Sequence, residues 1–226
     1  MRILVIIVSN NMNTIFIDHI KKTKEILIDH FEKNGHIVDI ASVSGKNDHS
    51  NYADVINIKH THTNEKRQFA KLCDFLSTLD QPYDWYIKIR PDIEILEPVH
   101  IDFLVEQTAI YARARVYNGP RSIPYGGSVG GKGPWDYLHT EFKYSETEQN
   151  VVLDDQIFIF HRSAVERGIF TTLTEEEKPD FAEWLFSRIC KERGAILYPI
   201  SIRAILHKYR NNEKEFSVES GNINCS

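Results

Sequence analysis

Cysteine is scarce. The 226 residues hold three, Cys73, Cys190 and Cys225, far apart and with no Cys-x-x-Cys pair. That spacing argues against a zinc knuckle and a disulfide scaffold. Long apolar runs are missing as well. The longest near the start, Ile3 to Val8, is too short for a secretion signal and far short of the ~20 residues that cross a bilayer. The expectation is a soluble, cytoplasmic protein without a membrane span. Basic excess is also lacking: 27 Lys and Arg stand against 32 Asp and Glu, for a net charge of -5, so there is no electrostatic footprint for nucleic acid. No internal repeat is visible. What remains is globular, with 42% hydrophobic, 26% charged and 11% aromatic residues. A chain of this length buries roughly 70% of its unfolded surface and needs no covalent staple.

Strand and helix patterns alternate. Arg2 to Val8 is a continuous, β-branched apolar run, the pattern of a strand buried on both faces in a parallel sheet. Asn13 to Asn34 carries apolar residues near helical spacing and ends before Gly35, a C-cap signal. His36 to Ile40 is the next strand. Tyr52 to Lys59 predicts a short strand, Asn64 to Leu79 a helix, and Trp85 to Arg90 a strand halted by Pro91. Asn118 to Trp135 holds six of eleven glycines and predicts a loop that closes over a ligand. Val151 to Leu153 and Ile157 to Phe160 flank a polar interruption, Asp154-Asp155-Gln156. Pro179 to Arg193 predicts a helix ended by Gly194, and Ala195 to Ile202 a last strand. The chain after Arg210 reads as a polar, frayed tail. This alternation predicts an α/β fold with right-handed crossovers.

Three clusters could carry chemistry. Tyr86 to Glu94 runs a buried strand out into Asp92 and Glu94, two carboxylates one residue apart. Ligands of open α/β sheets bind beyond the carboxyl ends of the strands. Carboxylates placed there can hold a divalent cation, and the cation a diphosphate. The alternative is an Asp92 turn cap and a solvated Glu94. The pair Asp154 and Asp155 interrupts a later apolar strand. On extended chain the two point to opposite sides, so one of them reaches a substrate, or both serve only the backbone at a strand entry. His207, Lys208 and Arg210 follow the last predicted strand, although with ten histidines in the chain a single one is weak evidence. Ser9 and Asn10 leave the first strand at its carboxyl end. Arg67, or Lys66, lies at the start of a helix, and Trp85 and Tyr86 read as core.

The segment Arg90-Pro91-Asp92-Ile93-Glu94 behind an apolar strand resembles the Asp-x-Asp motif of GT-A-fold glycosyltransferases, with Glu as a conservative departure. Together with Asn64 to Gln68 before it, the motif order over about residues 1 to 210 is similar to small transferases of capsule and lipopolysaccharide synthesis. It also looks like the short glycosyltransferase domains encoded by large algal viruses. The resemblance implies a single GT-A-like, Rossmann-like domain over 1–210, a mostly parallel sheet flanked by helices, and a tail over 211–226. It implies Mn or Mg held by Asp92, Glu94 and His207. The donor would be a nucleoside diphosphate sugar, UDP favoured and GDP open, contacted by Ser9, Asn10, Arg67, Arg90, Asp92 and Lys208. The acceptor would be a hydroxyl of a glycan or glycoprotein. Asp155 would be the base of an inverting hexosyl or pentosyl transfer. A sugar nucleotidyltransferase stays open, although Val8 to Met12 lacks the glycine-rich turn that it would want. So does a non-catalytic binding domain of the same fold.

Overall fold

The computed structural model of the protein describes residues 1–102, 104, 108–118, 149–174, 182–200, 202–210 and 213–220. Three apolar runs become strands near where the sequence places them, β1 (Arg2–Val8), β2 (Ile37–Ser44) and β4 (Trp85–Ile89), and β3 is Ile58–Thr63. Further along come β5 (Ile93–Ile95), β6 (Ala109–Asn118), β7 (Gln149–His161), β8 (Ile196–Pro199), β9 (Ala204–Arg210) and β10 (Glu213–Ser220). Among the described residues, seven strands form one sheet in the order β3-β2-β1-β4-β7-β6-β8. Only β7 runs against the rest, since it alone pairs antiparallel with both neighbours. The expected architecture, α/β with a mostly parallel central sheet, is therefore present.

Helices cover both faces. The expected helix Asn13 to Asn34 is segmented. A single turn at Thr14–Phe16, capped by the Asn13 side chain, leads into α1 (Ile17–Thr23), a π turn over Lys24–Ile28, and α2 (Asp29–Lys33). A π turn closes at five residues. Lys24 and Asp29 are that far apart and form an ion pair of 2.7 Å across it. Gly35 and Gly194 take φ of +80° and +86°, as helix-ending glycines do. The other face is covered by α3 (Gln68–Leu76) and α5 (Ala182–Glu192), with α4 (Arg162–Glu166) beside them. Alternation along β1 splits the core in two. Leu4, Ile6 and Val8 pack with Leu72, Phe75 and Phe186. Ile3, Val5 and Ile7 pack with Ile20, Leu27 and Phe31 on the opposite side. Full burial of such side chains is worth about 1.5–3 kcal/mol each. That fixes which residues face which way at the strand ends.

The C-terminal part departs from expectation. Ile205 to Arg210 does not follow the last strand; it lies in β9. Residues 213–220 of the segment expected to fray form β10 and pair antiparallel with β9. Strand β5 pairs antiparallel with the other edge of β9, giving a second sheet, β10-β9-β5. In Glu213 to Ser220 only Phe216 and Val218 are apolar, an alternation too sparse to read as a strand without its partner. The expected Tyr52 strand is a helical turn over His49–Tyr52, and the strand itself begins at Ile58. Strand β6 was not anticipated. The glycine-rich loop from residue 119 to 135 lies outside the described residues. No described helix is long and apolar enough to cross a membrane.

Candidate active site

The strand order 3-2-1-4 puts the reversal of winding between β1 and β4, which pair directly. The crevice beyond the carboxyl ends of those strands is where open α/β sheets take their ligands. Ser9 and Asn10 leave β1 there, and Arg90 to Asp92 leave β4 there. Strand β2 ends alongside, at Ser44, and Gly45 follows it. A Cβ on Gly45 would lie 2.6 Å from the Asn10 carbonyl oxygen, so only glycine lets these two strand ends come so close.

The first half of the site is the β5–β9 pair. Residues directly opposite on antiparallel strands share a face. Glu94 lies opposite Ile205, and the His207 backbone N–H donates to the Asp92 carbonyl at 2.9 Å. Glu94 and His207 therefore share one face, and the Glu94 Oε2 to His207 Nε2 distance is 2.8 Å. Both residues are buried, although 113 positions separate them. Helix α1 adds two residues at i and i+3, spacing that puts them on one side. The Lys22 ammonium donates to the other Glu94 oxygen. The His19 ring stacks on His207, with centroids 4.2 Å apart. Burial pushes the Glu94 carboxyl pKa up, but the hydrogen bonds from Lys22 and His207 outweigh it and the net shift is downward. Burial, then the nearby His207, lowers the His19 pKa.

The structure joins Glu94 with His207 as the sequence suggests, but Asp92 behaves differently. Its carboxylate accepts both arms of the Arg90 guanidinium fork, with Arg90 Nε at 2.9 Å from Oδ1. Among the described residues, the group whose ligand atoms lie close enough for one ion is His19, Glu94 and His207, all within 4.8 Å of one another. His19 was missed. It lies in register with Phe16, Ile20 and Thr23, so a polar residue on the buried side of a helix was the available signal. His60 lies elsewhere and bonds the Tyr83 hydroxyl at 2.7 Å.

The second half of the site comes from a bulge. Ala112 pairs with Phe158 and Ala114 with Leu153, so Asp154, Asp155, Gln156 and Ile157 stand opposite Arg113 alone. Bulges at sheet margins re-aim side chains. Here the bulge separates the roles of the two aspartates. Asp154 is buried against Arg113, with Nε at 2.8 Å, and also accepts from the Gln156 backbone N–H at 3.0 Å. Asp155 is 5% exposed, and its Oδ1 has no hydrogen-bond partner among the described residues. Lys88, next to the bulge on β4, donates to the Asp155 and Gln156 carbonyls that the bulge leaves out of the ladder. Complete burial pushes the Lys88 ammonium pKa down to about 8.

That depression has a sign. Between about 8 and the ordinary 10.5, the unfolded chain binds the Lys88 proton and the folded chain does not. Stability therefore rises with pH through that window. Denaturant midpoints measured from pH 7.5 to 10.5 are expected to show a shallower rise for Lys88→Met than for the wild type. Parallel profiles would mean that Lys88 does not titrate there.

The remaining predicted residues are spread along the same edge. Ser9 is buried and Asn10 exposed. Both are tied by a residue that the sequence did not single out, the buried Lys71 of α3. Its ammonium donates to the Ser9 carbonyl at 2.8 Å and lies 3.3 Å from Asn10 Oδ1. Lys71 stands one turn beyond Gln68, whose Oε1 is 3.4 Å from the Lys88 ammonium. Arg67 is exposed at the N-cap of α3, and Lys66 pairs with Asp74 at 2.7 Å. Lys208 pairs with Phe216 along β9, but its side chain lies outside the described residues.

No protein-family model matches the chain, and no curated protein matches its sequence. Solved structures are similar in chain path. A variant of Drosophila β-1,4-galactosyltransferase 7, in complex with manganese, UDP-Gal and xylobiose, aligns with 99% of this chain and 71% of its own. Its TM-score is 0.46 at 10% identity. The galactosyltransferase LgtC, in complex with donor and acceptor sugar analogues, aligns with 89% of this chain and 73% of its own. Its TM-score is 0.49 at 10% identity.

Proposed function

We propose that this protein is a metal-dependent glycosyltransferase that moves a sugar from a nucleoside diphosphate, UDP favoured, to a hydroxyl of a glycan, with inversion. The observation that carries the reading is a pair of complementary devices flanking β4, one on the β5–β9 pair that follows it and the other on β7 beside it. One is the buried His19–Glu94–His207 group. The other is the buried Asp155 carboxylate. A divalent cation fits the first by its donor chemistry, and when bound it would offset charge on a departing diphosphate.

The chain's own residues do the rest. Ser9 and Asn10, steadied by Lys71, face the crevice where a base and ribose would lie. The Arg90 fork suits a diphosphate as well as it suits the Asp92 carboxylate, since both present paired oxygens. In this reading Arg90 turns to the donor and releases Asp92. Asp155 accepts the proton of the acceptor hydroxyl through Oδ1. The hydroxyl oxygen bonds the anomeric carbon as the bond to the diphosphate breaks, and the diphosphate leaves with the electron pair. Lys88 and Arg113 hold the bulge, so that Asp155 is presented while Asp154 is withheld.

Calorimetric titration with UDP, GDP and their triphosphates, with and without Mn, tests the reading. Diphosphate binding that appears only with metal supports it. Preference for a triphosphate together with a sugar 1-phosphate points to a nucleotidyltransferase. Absence of any nucleotide binding with metal present overturns it.

A further inference from the structure

We propose that His19 is a metal ligand, so that the cation is held by two imidazoles and one carboxylate, from His19, His207 and Glu94, and that this set selects a transition metal over magnesium. The inference deepens the reading above and rests on it for the role of the site.

The geometry comes first. Bonds of about 2.1 Å put adjacent ligand atoms about 3 Å apart and opposite ones about 4.2 Å apart. Glu94 and His207 stand at 2.8 Å, close to the adjacent spacing. The whole group lies within 4.8 Å, so side-chain adjustment alone brings His19 to a common ion. The three residues come from α1, β5 and β9, and each is under a tenth exposed, at 7%, 8% and 5%. The Pro91 carbonyl lies beside the His19 ring. A metal-bound imidazole commonly gives its second ring N–H to a backbone carbonyl, which fixes the tautomer and aims the other nitrogen. Lys22, from the same side of α1, supplies positive charge to Glu94 with its own side chain half exposed. It can swing to solvent when a cation takes its place.

The donor chemistry follows. Magnesium prefers oxygen ligands and parts reluctantly with its waters. Imidazole suits the later transition ions, and affinity at a mixed nitrogen and oxygen site climbs from manganese through cobalt. A set built from Asp92, Glu94 and one histidine would be mostly oxygen and would tolerate magnesium. Two imidazoles reverse that preference. The choice between Mn and Mg then falls to His19, a residue outside the Asp-x-Glu segment.

Cobalt(II) is the probe, added to the whole protein without nucleotide. One equivalent is expected to bind with visible d–d absorption, and millimolar magnesium is expected not to displace it. Proton NMR of the cobalt-loaded wild type is expected to show two strongly shifted imidazole N–H signals. One signal would mean that His207 binds alone and would overturn the proposal without any variant. His19→Phe keeps a flat ring to stack on His207 but cannot ligate. It is expected to lose about a hundredfold or more in cobalt affinity. Wild-type affinity and spectrum in a folded His19→Phe would reduce His19 to a packing residue and overturn the proposal. So would displacement of cobalt by equimolar magnesium. The two readings fail separately. Cobalt bound through His19 with no nucleotide adding to it would sink the transferase reading and leave this one standing. Nucleotide binding that runs on magnesium and ignores His19→Phe would do the reverse.

Discussion

Asp155→Asn is expected to slow sugar transfer by about 10²- to 10⁴-fold, the usual cost of losing a general base, while donor affinity stays near wild type. Asparagine keeps the size and shape of the side chain but cannot take a proton at neutral pH. The groups proposed to hold the donor lie on or next to β1, β4, β5 and β9, so the change leaves them in place. Its neighbour supplies the contrast. Asp154 holds the buried Arg113, both being 3% exposed or less at the side chain. Asp154→Asn leaves Arg113 charged and under-compensated, and breaking a buried pair costs about 3–5 kcal/mol. Asp154→Asn is therefore expected to lower the melting temperature sharply, and Asp155→Asn to lower kcat with the fold intact. Transfer rates and thermal unfolding of both variants decide the matter. An Asp155→Asn enzyme at the wild-type rate would place the base elsewhere. A product that keeps the donor's anomeric configuration would make Asp155 an acceptor-orienting group.

Glu94→Ala is expected to abolish metal-dependent nucleotide binding, with a loss of metal affinity of about 10²-fold or more. Glu94 is the sole carboxylate of the His19–Glu94–His207 group and the joint partner of His207 and Lys22. Without it, two imidazoles face a lysine ammonium and no anion balances a cation. Asp92→Ala is expected to cost less metal affinity, because the Asp92 carboxylate is already engaged by Arg90. The two carboxylates look equivalent in the sequence, and this ordering separates them. Titration of each variant with Mn in the absence of nucleotide reads the order directly. A larger loss in Asp92→Ala would put the cation on the Arg90 side of the segment.

Much of the sheet was legible because its signals are local. The apolar run of β1 and the stop at Pro91 after β4 each follow from a few neighbouring residues. So do the positive-φ glycines after α2 and α5. Trp85 and Tyr86 read as core and are 7% and 3% exposed. The misreadings share one cause, a polar residue whose partner is distant. Lys71 sits on the buried side of α3 with Leu72 and Phe75, and looks like a surface lysine until the Ser9 carbonyl is placed against it. Strand β10 has too few apolar residues to announce itself without β9.

The sequence by itself determined the strands β1, β2 and β4, the helical segments that follow β1 and β3, and which faces β1 buries. It also placed the carboxyl ends of β1 and β4 at one edge, because periodicity and crossover handedness are properties of short stretches of chain. It narrowed the metal question to Asp92, Glu94 and a late histidine. Only the tertiary structure shows how these side chains are grouped. The β5–β9 register puts His207 on the face of Glu94, the approach of α1 brings His19 there, and the Arg90 fork draws Asp92 away. The bulge opposite Arg113 likewise gives two adjacent aspartates different partners. These are pairings across tens of residues or more. Their geometry depends on which strands meet and in what register, a choice made by the packing of the whole core and carried by no local pattern.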